Sequence, residues 1–404
     1  VVESLGAAYL PSGFSDAVPY LMLFVVLLLL PGGLSGRGRD VGGGHHSAMA
    51  LGAGLLERLF RNRLPALARS RFDLAAAAGT AGILAMLVVA PFAGDYALRV
   101  AFTIVVYGMM ALGTNLVLGL SGQLSLCHAG FFAIGAYASA ILTTDYGFSF
   151  WPALLVGVAI AVFAGFLVSL VTFRVRGYYL ALVTLAFAEL VRVILSHWNS
   201  FTGGMMGIRG LPPVDFFGWE FWSPLAFFYI GSGFLVLGLL LYNAVAYSAG
   251  GRALMALRDD EVAAAASGLP TQQLKILAFS LSAVFPAVGG SLLAHYYTAI
   301  TPDLALAHET IAVLVIVVIG GLGSAAGALF GALLVNLLPE AFRGFGDYRL
   351  LIYGLILYLV IVYQPQGVFS IGRRVAASRT IPSTIASVPS PSRRCAITNG
   401  RRPR

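Results

Sequence analysis

Charge is scarce in this sequence. Of 404 residues only 10% are Asp, Glu, Lys or Arg, while 59% are hydrophobic and the mean hydropathy is +0.88. A soluble chain of this length cannot hide so much apolar surface, so the composition excludes the soluble globular class and places the chain in the membrane. Cysteine is scarce too. Cys127 and Cys395 fall far apart in different settings, and no disulfide is expected between them. His and Cys do not recur at metal-ligand spacing, since His45-His46 sits on a basic stretch and His128 stands alone. No metal site is expected, and His128 reads first as a buried, hydrogen-bonded histidine. No nucleophile lies beside a base, and Asp259-Asp260 sits on a solvated segment, so no catalytic residue is nominated. A G-x-x-x-x-G-K-[S/T] phosphate loop is missing, which excludes a P-loop ATPase.

The charge that is present is patterned. The formal net charge is +8, with seven Arg against three acids in residues 31–73 and eight Arg with no acid in 372–404. Basic blocks beside apolar runs mark cytoplasmic segments, not nucleic-acid binding. Apolar runs suggest spans near 17–30, 74–92, 98–119, 128–142, 151–173, 178–196, 223–247, 274–296, 309–320, 324–338 and 349–363. Arg69, Arg71, Arg174, Arg176, Arg252, Arg258, Lys275, Arg373 and Arg374 orient them as cytoplasmic flanks. Segments 143–150 and 297–308 have no Lys or Arg and read as external, as does 197–222 with only Arg209.

Parity checks this orientation. With 297–308 outside and residue 364 inside, residues 309–338 must cross twice, reversing at Gly320-Gly321-Leu322-Gly323-Ser324. The same count separates 98–119 from 128–142 across GLSGQLSLCHAG. Short spans broken by Gly-rich backbone are tolerated only where protein or a watery cavity covers them, so both breaks point toward a translocation path. The expected fold is all-α, a polytopic transmembrane bundle of about ten spans with Gly-broken short helices.

The ends of the chain carry a faint repeat. Glu3–Arg37 and Glu340–Arg373 each hold Glu, a Gly-rich turn, an apolar run, P-x-G and a Gly-Arg exit. That suggests the tail of one subunit joined to a complete second one. Val1 reads either as an alternative start or as the edge of a longer chain. Tyr20–Leu30 is apolar, but no basic segment precedes it as in a cleavable leader. The expected domains are a sister-permease remnant at 1–36, a basic linker at 37–73, a transmembrane domain at 74–370 with a cytoplasmic loop at 248–275, and a disordered Ser-, Pro- and Arg-rich tail at 371–404.

The loop contains GRALMALRDDEVAAAASG at 251–268, five charged residues in eighteen. Its composition favours a helix, with Gly268 and Pro270 as the stop. Leu254, Leu257, Ala264 and Ala265 make a modest apolar face, and Arg252, Arg258, Asp259, Asp260 and Glu261 a polar one. Three adjacent acids favour a protein partner over an anionic lipid surface.

This stretch resembles the cytoplasmic loop of the M-type permease subunit of Liv-type branched-chain amino acid ABC importers. Glu261, Ala263, Ala264 and Gly268 are similar to the EAA-type coupling motif, with the Glu261–Gly268 spacing one residue longer than usual. The resemblance continues through NLVLGLSGQLSLCHAGFFAIGAYASAIL (115–142), RVRGYYLALVTLAFAELVRVI (174–194), SFTGGMMGIRG (200–210), VVIGGLGSAAGALFGA (317–332) and YQPQGVF (363–369). Residues 1–36 look like the end of an H-type sister permease. Cys127 stands where the family usually has Gly, Met205-Met206 replace a small or polar pair, and Pro286 interrupts a span.

The resemblance implies an ABC importer permease fold in a bacterial inner membrane, with an H-type sister permease, two cytoplasmic ATPases that hold the ATP, and a periplasmic or lipid-anchored binding protein. It implies contact with membrane lipid, none with nucleic acid, and no cofactor in this chain. Arg252, Arg258, Asp259, Asp260, Glu261, Ala264 and Gly268 are then candidates for ATPase coupling. Asn115, Ser121, Gln123, Ser125 and His128 around the first break, and Gly320, Gly321 and Gly323 at the second, either line the path or satisfy broken-helix backbone. Glu189 and Arg192, one turn apart inside a span, either meet substrate or neutralise each other. Thr202, Gly203, Gly204 and Arg209 either meet the binding protein or form a plain external turn. A urea or short-chain amide permease of the same fold is the nearest rival, and an ion-coupled carrier a remoter one, since no inverted repeat is visible.

Overall fold

The structure, a computed structural model, describes residues 94–344 apart from 173–174, 176–177, 217–218 and 222, together with Gly354. The expected spans at 17–30, 74–92 and 349–363, the segments 1–36, 37–73 and 371–404, and nearly all of the terminal repeat lie outside the described residues.

Helix α1 (Asp95–Asn115) continues through a π-helical turn, Leu116–Leu120, as one 26-residue rod. After the break at 121–127 come α2 (His128–Thr144), α3 (Phe150–Thr172) and α4 (Tyr178–His197). A short α5 (Asn199–Thr202), a 3-10 turn at Gly204–Met206 and strands β1 (Ile208–Arg209), β2 (Val214–Phe216) and β3 (Trp219–Phe221) follow. Then come α6 (Pro224–Ala246), α7 (Ala249–Asp259) and α8 (Glu261–Ala266). Helices α9 (Thr271–Ser282) and α10 (Val284–Tyr297) make one 27-residue rod, interrupted at Ala283. The interruption lies three residues before Pro286, whose ring has no N–H for the Ser282 carbonyl. Strand β4 (Ala299–Ile300), a 3-10 turn at Pro302–Ala305, α11 (Ala307–Gly320) and α12 (Ala325–Ala341) complete the order.

Among the described residues five rods are long and apolar enough to cross a membrane: Asp95–Leu120, Phe150–Val171, Tyr179–His197, Pro224–Ala246 and Thr271–Tyr297. The other apolar helices are short, as their apolar runs imply. Helix α11 has 14 residues, or about 21 Å against a hydrocarbon core of roughly 30 Å. Helices α2 and α12 have 17 residues each.

Burial ranks the rods. The α1 rod is 83% buried over its apolar window, against 44% for α3 and 39% for α6. Thus α1 is central, while α3 turns Leu155, Ile160 and Phe163 outward and α6 turns out Leu237 and Leu240. Apolar side chains gain little by leaving lipid for protein, so helix contact in a bilayer rests on close approach and polar links. Helices α2 and α10 show both, and they share the most extensive contact in the fold. A Cβ on Gly135 would collide with the Ala287 backbone, and one on Gly290 with the Phe132 carbonyl. The Ser291 hydroxyl donates to the Gly135 carbonyl at 2.9 Å.

The two ends of the bundle are distinct. At one end the three segments read as external come together. Strand β1 pairs antiparallel with β4. The Asp215 carboxylate accepts from the Phe150 amide at 3.2 Å and its carbonyl from Trp151 Nε1 at 2.8 Å. His295 bonds Ser139 Oγ at 2.9 Å and the Pro212 carbonyl at 2.8 Å, tying α10 and α2 to the same loop. The opposite end holds α7, α8 and the reversal between α11 and α12. Gly323 has φ +77 in that reversal, where a side chain would be strained.

The stretch at 251–268 is not one helix. It splits at Asp260, which leaves helical geometry (φ −159, ψ 111) and caps α8 with its carboxylate, accepting from Val262 N at 2.8 Å and Ala263 N at 3.0 Å. An Asp that can satisfy two free amides favours a new helix start over continuation.

Candidate functional site

The helix pair α7–α8 is bolted to the bundle. Ser248 caps α7, accepting from Gly251 N at 3.1 Å, and Leu254 and Leu257 enter the core. Ala264 is buried as well, whereas Ala265 is exposed, which narrows the expected apolar face. Glu261 Oε1 meets Lys275 Nζ at 2.8 Å, and that lysine, the sequence's single one, is 6% exposed. Arg258 turns inward and donates from Nη1 to the Gly119 carbonyl at 2.8 Å. Arg252 is exposed and donates to the Tyr247 carbonyl, and Asp259 and Gly268 face solvent. The outward face of α8 is apolar: Val262 is 67% exposed, beside Ala263 and Ala266. Val262 was visible in the sequence as the bulky apolar residue of a charged stretch, but it was not nominated.

At the first break, much of the polar chemistry closes on the backbone. Asn115 is fully buried. Its Oδ1 accepts from Gly323 N at 2.8 Å and its Nδ2 donates to the Ser324 carbonyl at 2.9 Å, stapling the two breaks together. The Ser121 hydroxyl donates to the Val117 carbonyl at 2.6 Å, Ser125 Oγ lies 3.0 Å from Cys127 Sγ, and Leu126 N donates to Thr184 Oγ1 at 2.8 Å. Gly320 packs against the Gly327 carbonyl, where no Cβ fits, and Gly321 forms the C-terminal end of α11. Gln123 and His128 behave differently. Both are buried; the Gln123 amide has no hydrogen-bond partner among the described residues, and the His128 ring meets only the Gly113 backbone.

A second polar group lies deeper. Tyr107 is halfway along the 26-residue α1 rod, about 18 Å from either end at 1.5 Å per residue. Its hydroxyl donates to Glu309 Oε2 at 2.5 Å, which fixes Glu309 at mid-depth in the first turn of α11. His308 Nε2 lies 3.2 Å from Glu309 Oε1. Thr310 Oγ1 accepts from Ala129 N at 3.3 Å, so the N-terminal turns of α11 and α2 meet here, with His128 one residue from the contact. The chain reaches this depth from the external side through the Pro302–Ala305 turn, which packs on α2 and α4. The Glu309 side chain is 24% exposed. Tyr107, His308 and Glu309 were not among the nominated residues. The available signal was an acid heading an apolar run too short to span.

Glu189 and Arg192 bond each other, with Arg192 Nε 2.6 Å from Glu189 Oε2 and side chains only 13% and 27% exposed. At the external end Thr202 is buried, donating to the Leu195 and Trp198 carbonyls, so it closes α4 and does not face outward. Gly203 and Gly204 carry the turn that follows. Gly203, Met205, Met206, Arg209 and Gly210 are exposed there, whereas Gly204 is buried.

A central rod, lipid-facing helices around it, two broken helices and an acid at mid-depth define a multi-pass membrane protein built around an embedded polar site. Residues 96–361 match the family described as branched-chain amino acid transport system / permease component, and the chain belongs to that family. It is 34% identical over 351 residues, 79% of this chain and 83% of the relative, to the high-affinity branched-chain amino acid transport system permease protein LivM of Escherichia coli K12. It is 26% identical over 283 residues, 65% of this chain and 90% of the relative, to LivH of the same strain. BraD of Pseudomonas aeruginosa is 27% identical over 286 residues, 65% of this chain and 91% of the relative. No solved structure matches the chain.

Proposed function

We propose that this chain is the permease subunit of an ATP-driven importer of branched-chain amino acids: leucine, isoleucine and valine. It passes solute across the bacterial inner membrane beside an H-type sister permease, while two cytoplasmic ATPases bind and hydrolyse the ATP. A periplasmic or lipid-anchored binding protein delivers the solute at the end bearing Met205, Met206 and Arg209.

The observation that carries this reading is the carboxylate of Glu309 at mid-depth, held by Tyr107 and His308 and about a quarter exposed. An ionisable group in the membrane is costly and marks a path by default. A zwitterionic amino acid supplies what the site lacks. Its ammonium matches Glu309, and its carboxylate matches the N-terminal ends of α2 and α11, whose dipoles favour an anion. Gln123, buried in the first break without a partner among the described residues, is suited to bond a passing polar solute, and His128 heads α2 beside the turn that holds Glu309. The cytoplasmic pair α7–α8 supports the coupling role, with the apolar tip at Val262 as the ATPase contact.

The test is uptake of radiolabelled leucine into proteoliposomes holding the complete complex. Glu309→Gln is expected to lower ATP-dependent uptake by about 100-fold, the loss of one charged hydrogen-bonded contact in a dry site. Urea and short-chain amides carry no ammonium. Uptake of those solutes, untouched by Glu309→Gln, would overturn the amino acid reading in favour of a neutral substrate. Leucine uptake driven by an ion gradient without ATP would overturn the importer class.

A further inference from the structure

The cytoplasmic pair is joined to the two broken helices through one side chain. Arg258 is the next-to-last residue of α7. Its guanidinium donates to Gly119 O, a carbonyl inside the π-helical turn Leu116–Leu120. A π turn shifts the helical bonding by one residue, and such turns recur at functional positions in helices. Gly119 itself has no room for a side chain, because a Cβ would collide with Asn115 Oδ1 and the Gly323 amide. Gly122, at φ +71, lets the backbone pass directly beneath the Arg258 stem, 2.5 Å from where its own Cβ would stand. Gly323 lies on the other side, its Cβ position 3.4 Å from Arg258 Nη1. Asn115 then bonds the π-turn rod to both Gly323 and Ser324. The Arg258 side chain therefore bonds the end of α1 through its guanidinium, lays its stem over the start of the first break and stands beside the reversal between α11 and α12.

We infer that Arg258 is a transmission latch: a positioning residue that passes displacement of α7–α8 to both broken helices, and not a residue that docks the ATPase. This rests on the importer reading above. A rocking of α7 of an ångström or two pulls on Gly119 and, through Asn115, on the Gly320–Ser324 turn. The N-terminal end of α11, where Glu309 sits, is the far end of the element so moved.

The test uses the complete complex and does not depend on the substrate. Leu322, 41% exposed in the reversal, is replaced by Cys in a Cys395→Ser background, since the remaining Cys127 is buried. The rate of maleimide labelling at 322 is measured with ATP analogue and with ADP. It is expected to differ by at least about fivefold, the lower range of coupling between distant sites. Arg258→Met keeps the apolar stem over Gly122 and removes the guanidinium. It should abolish the nucleotide dependence while the ATPases still co-purify, and Arg258→Lys should restore part of it. Val262→Asp should instead release the ATPases.

Three results would overturn the latch: no nucleotide dependence in the reference protein, dependence retained in Arg258→Met, or loss of the ATPases from Arg258→Met and Arg258→Lys as from Val262→Asp. Nucleotide-dependent labelling in a complex that takes up no leucine would support the latch and sink the substrate assignment alone.

Discussion

Two polar regions inside this bundle differ in how their hydrogen bonds are spent. At the junction of the breaks, Asn115 meets Gly323 and Ser324, Ser121 meets Val117, and Arg258 meets Gly119. Beside it Gln123 is buried without a partner among the described residues, His128 meets only the Gly113 backbone, and deeper in the bundle Glu309 is held by Tyr107 and His308 and remains partly open. A buried polar atom left unpaired costs roughly 1–3 kcal/mol. The first region avoids that cost and so works as structure. The second bears it, which is reasonable only where water or a passing solute completes the bonds.

The sharpest way to break this comparison is to remove the staple. Asn115→Leu leaves the Gly323 N–H without the side chain that satisfies it, while the Ser324 carbonyl keeps the Ala328 amide. The expected loss is about 1–3 kcal/mol in SDS unfolding of the solubilised protein, one orphaned group at the usual cost. Wild-type stability in Asn115→Leu would mean that water enters the junction freely, and the two regions would then be alike.

The opposite result is expected deeper in. Gln123→Leu orphans nothing among the described residues, and His128→Leu releases only the Gly113 carbonyl, which keeps the Leu116 amide. Stability should stay within about 1 kcal/mol of the parent, while leucine uptake falls roughly tenfold, one hydrogen bond to a passing polar group. A stability loss matching that of Asn115→Leu would assign both groups to the scaffold.

The sequence made some of this visible and hid the rest for physical reasons. Spans follow from runs of Leu, Val and Ile, because the bilayer sorts residues by one strong variable, and the segments poor in Lys and Arg do share one end of the bundle. The reversal at 320–324 follows from parity and from glycines that only a tight turn needs. What stayed hidden depends on contacts between distant residues. Nothing local says that Arg258 meets Gly119, 139 positions away, or that Asp260 starts a new helix where Ala-rich sequence favours continuing one. Glu309 shows the limit most clearly. Its place at the head of a short apolar run is legible. Its depth is not, because that is set by the Pro302–Ala305 turn packing on α2 and α4 and by the hydroxyl of Tyr107.

The smallest expected effect concerns Glu189 and Arg192, which sequence reasoning leaves between substrate binding and mutual neutralisation. Each is the other's partner at 2.6 Å within one helix, so the pair belongs with the satisfied region despite lying in a span. Single neutralisation strands a charge, but removing both strands nothing. The double variant Glu189→Gln/Arg192→Gln should keep leucine uptake. The coupling energy from the full cycle should be about 0.5–1 kcal/mol, the scale of an i,i+3 pair or a polar contact in lipid. A stable double variant without uptake would move the pair to the transport path. The single variants then sort the roles: a deficit in Glu189→Gln alone would point to the ammonium, and one in Arg192→Gln alone to the carboxylate.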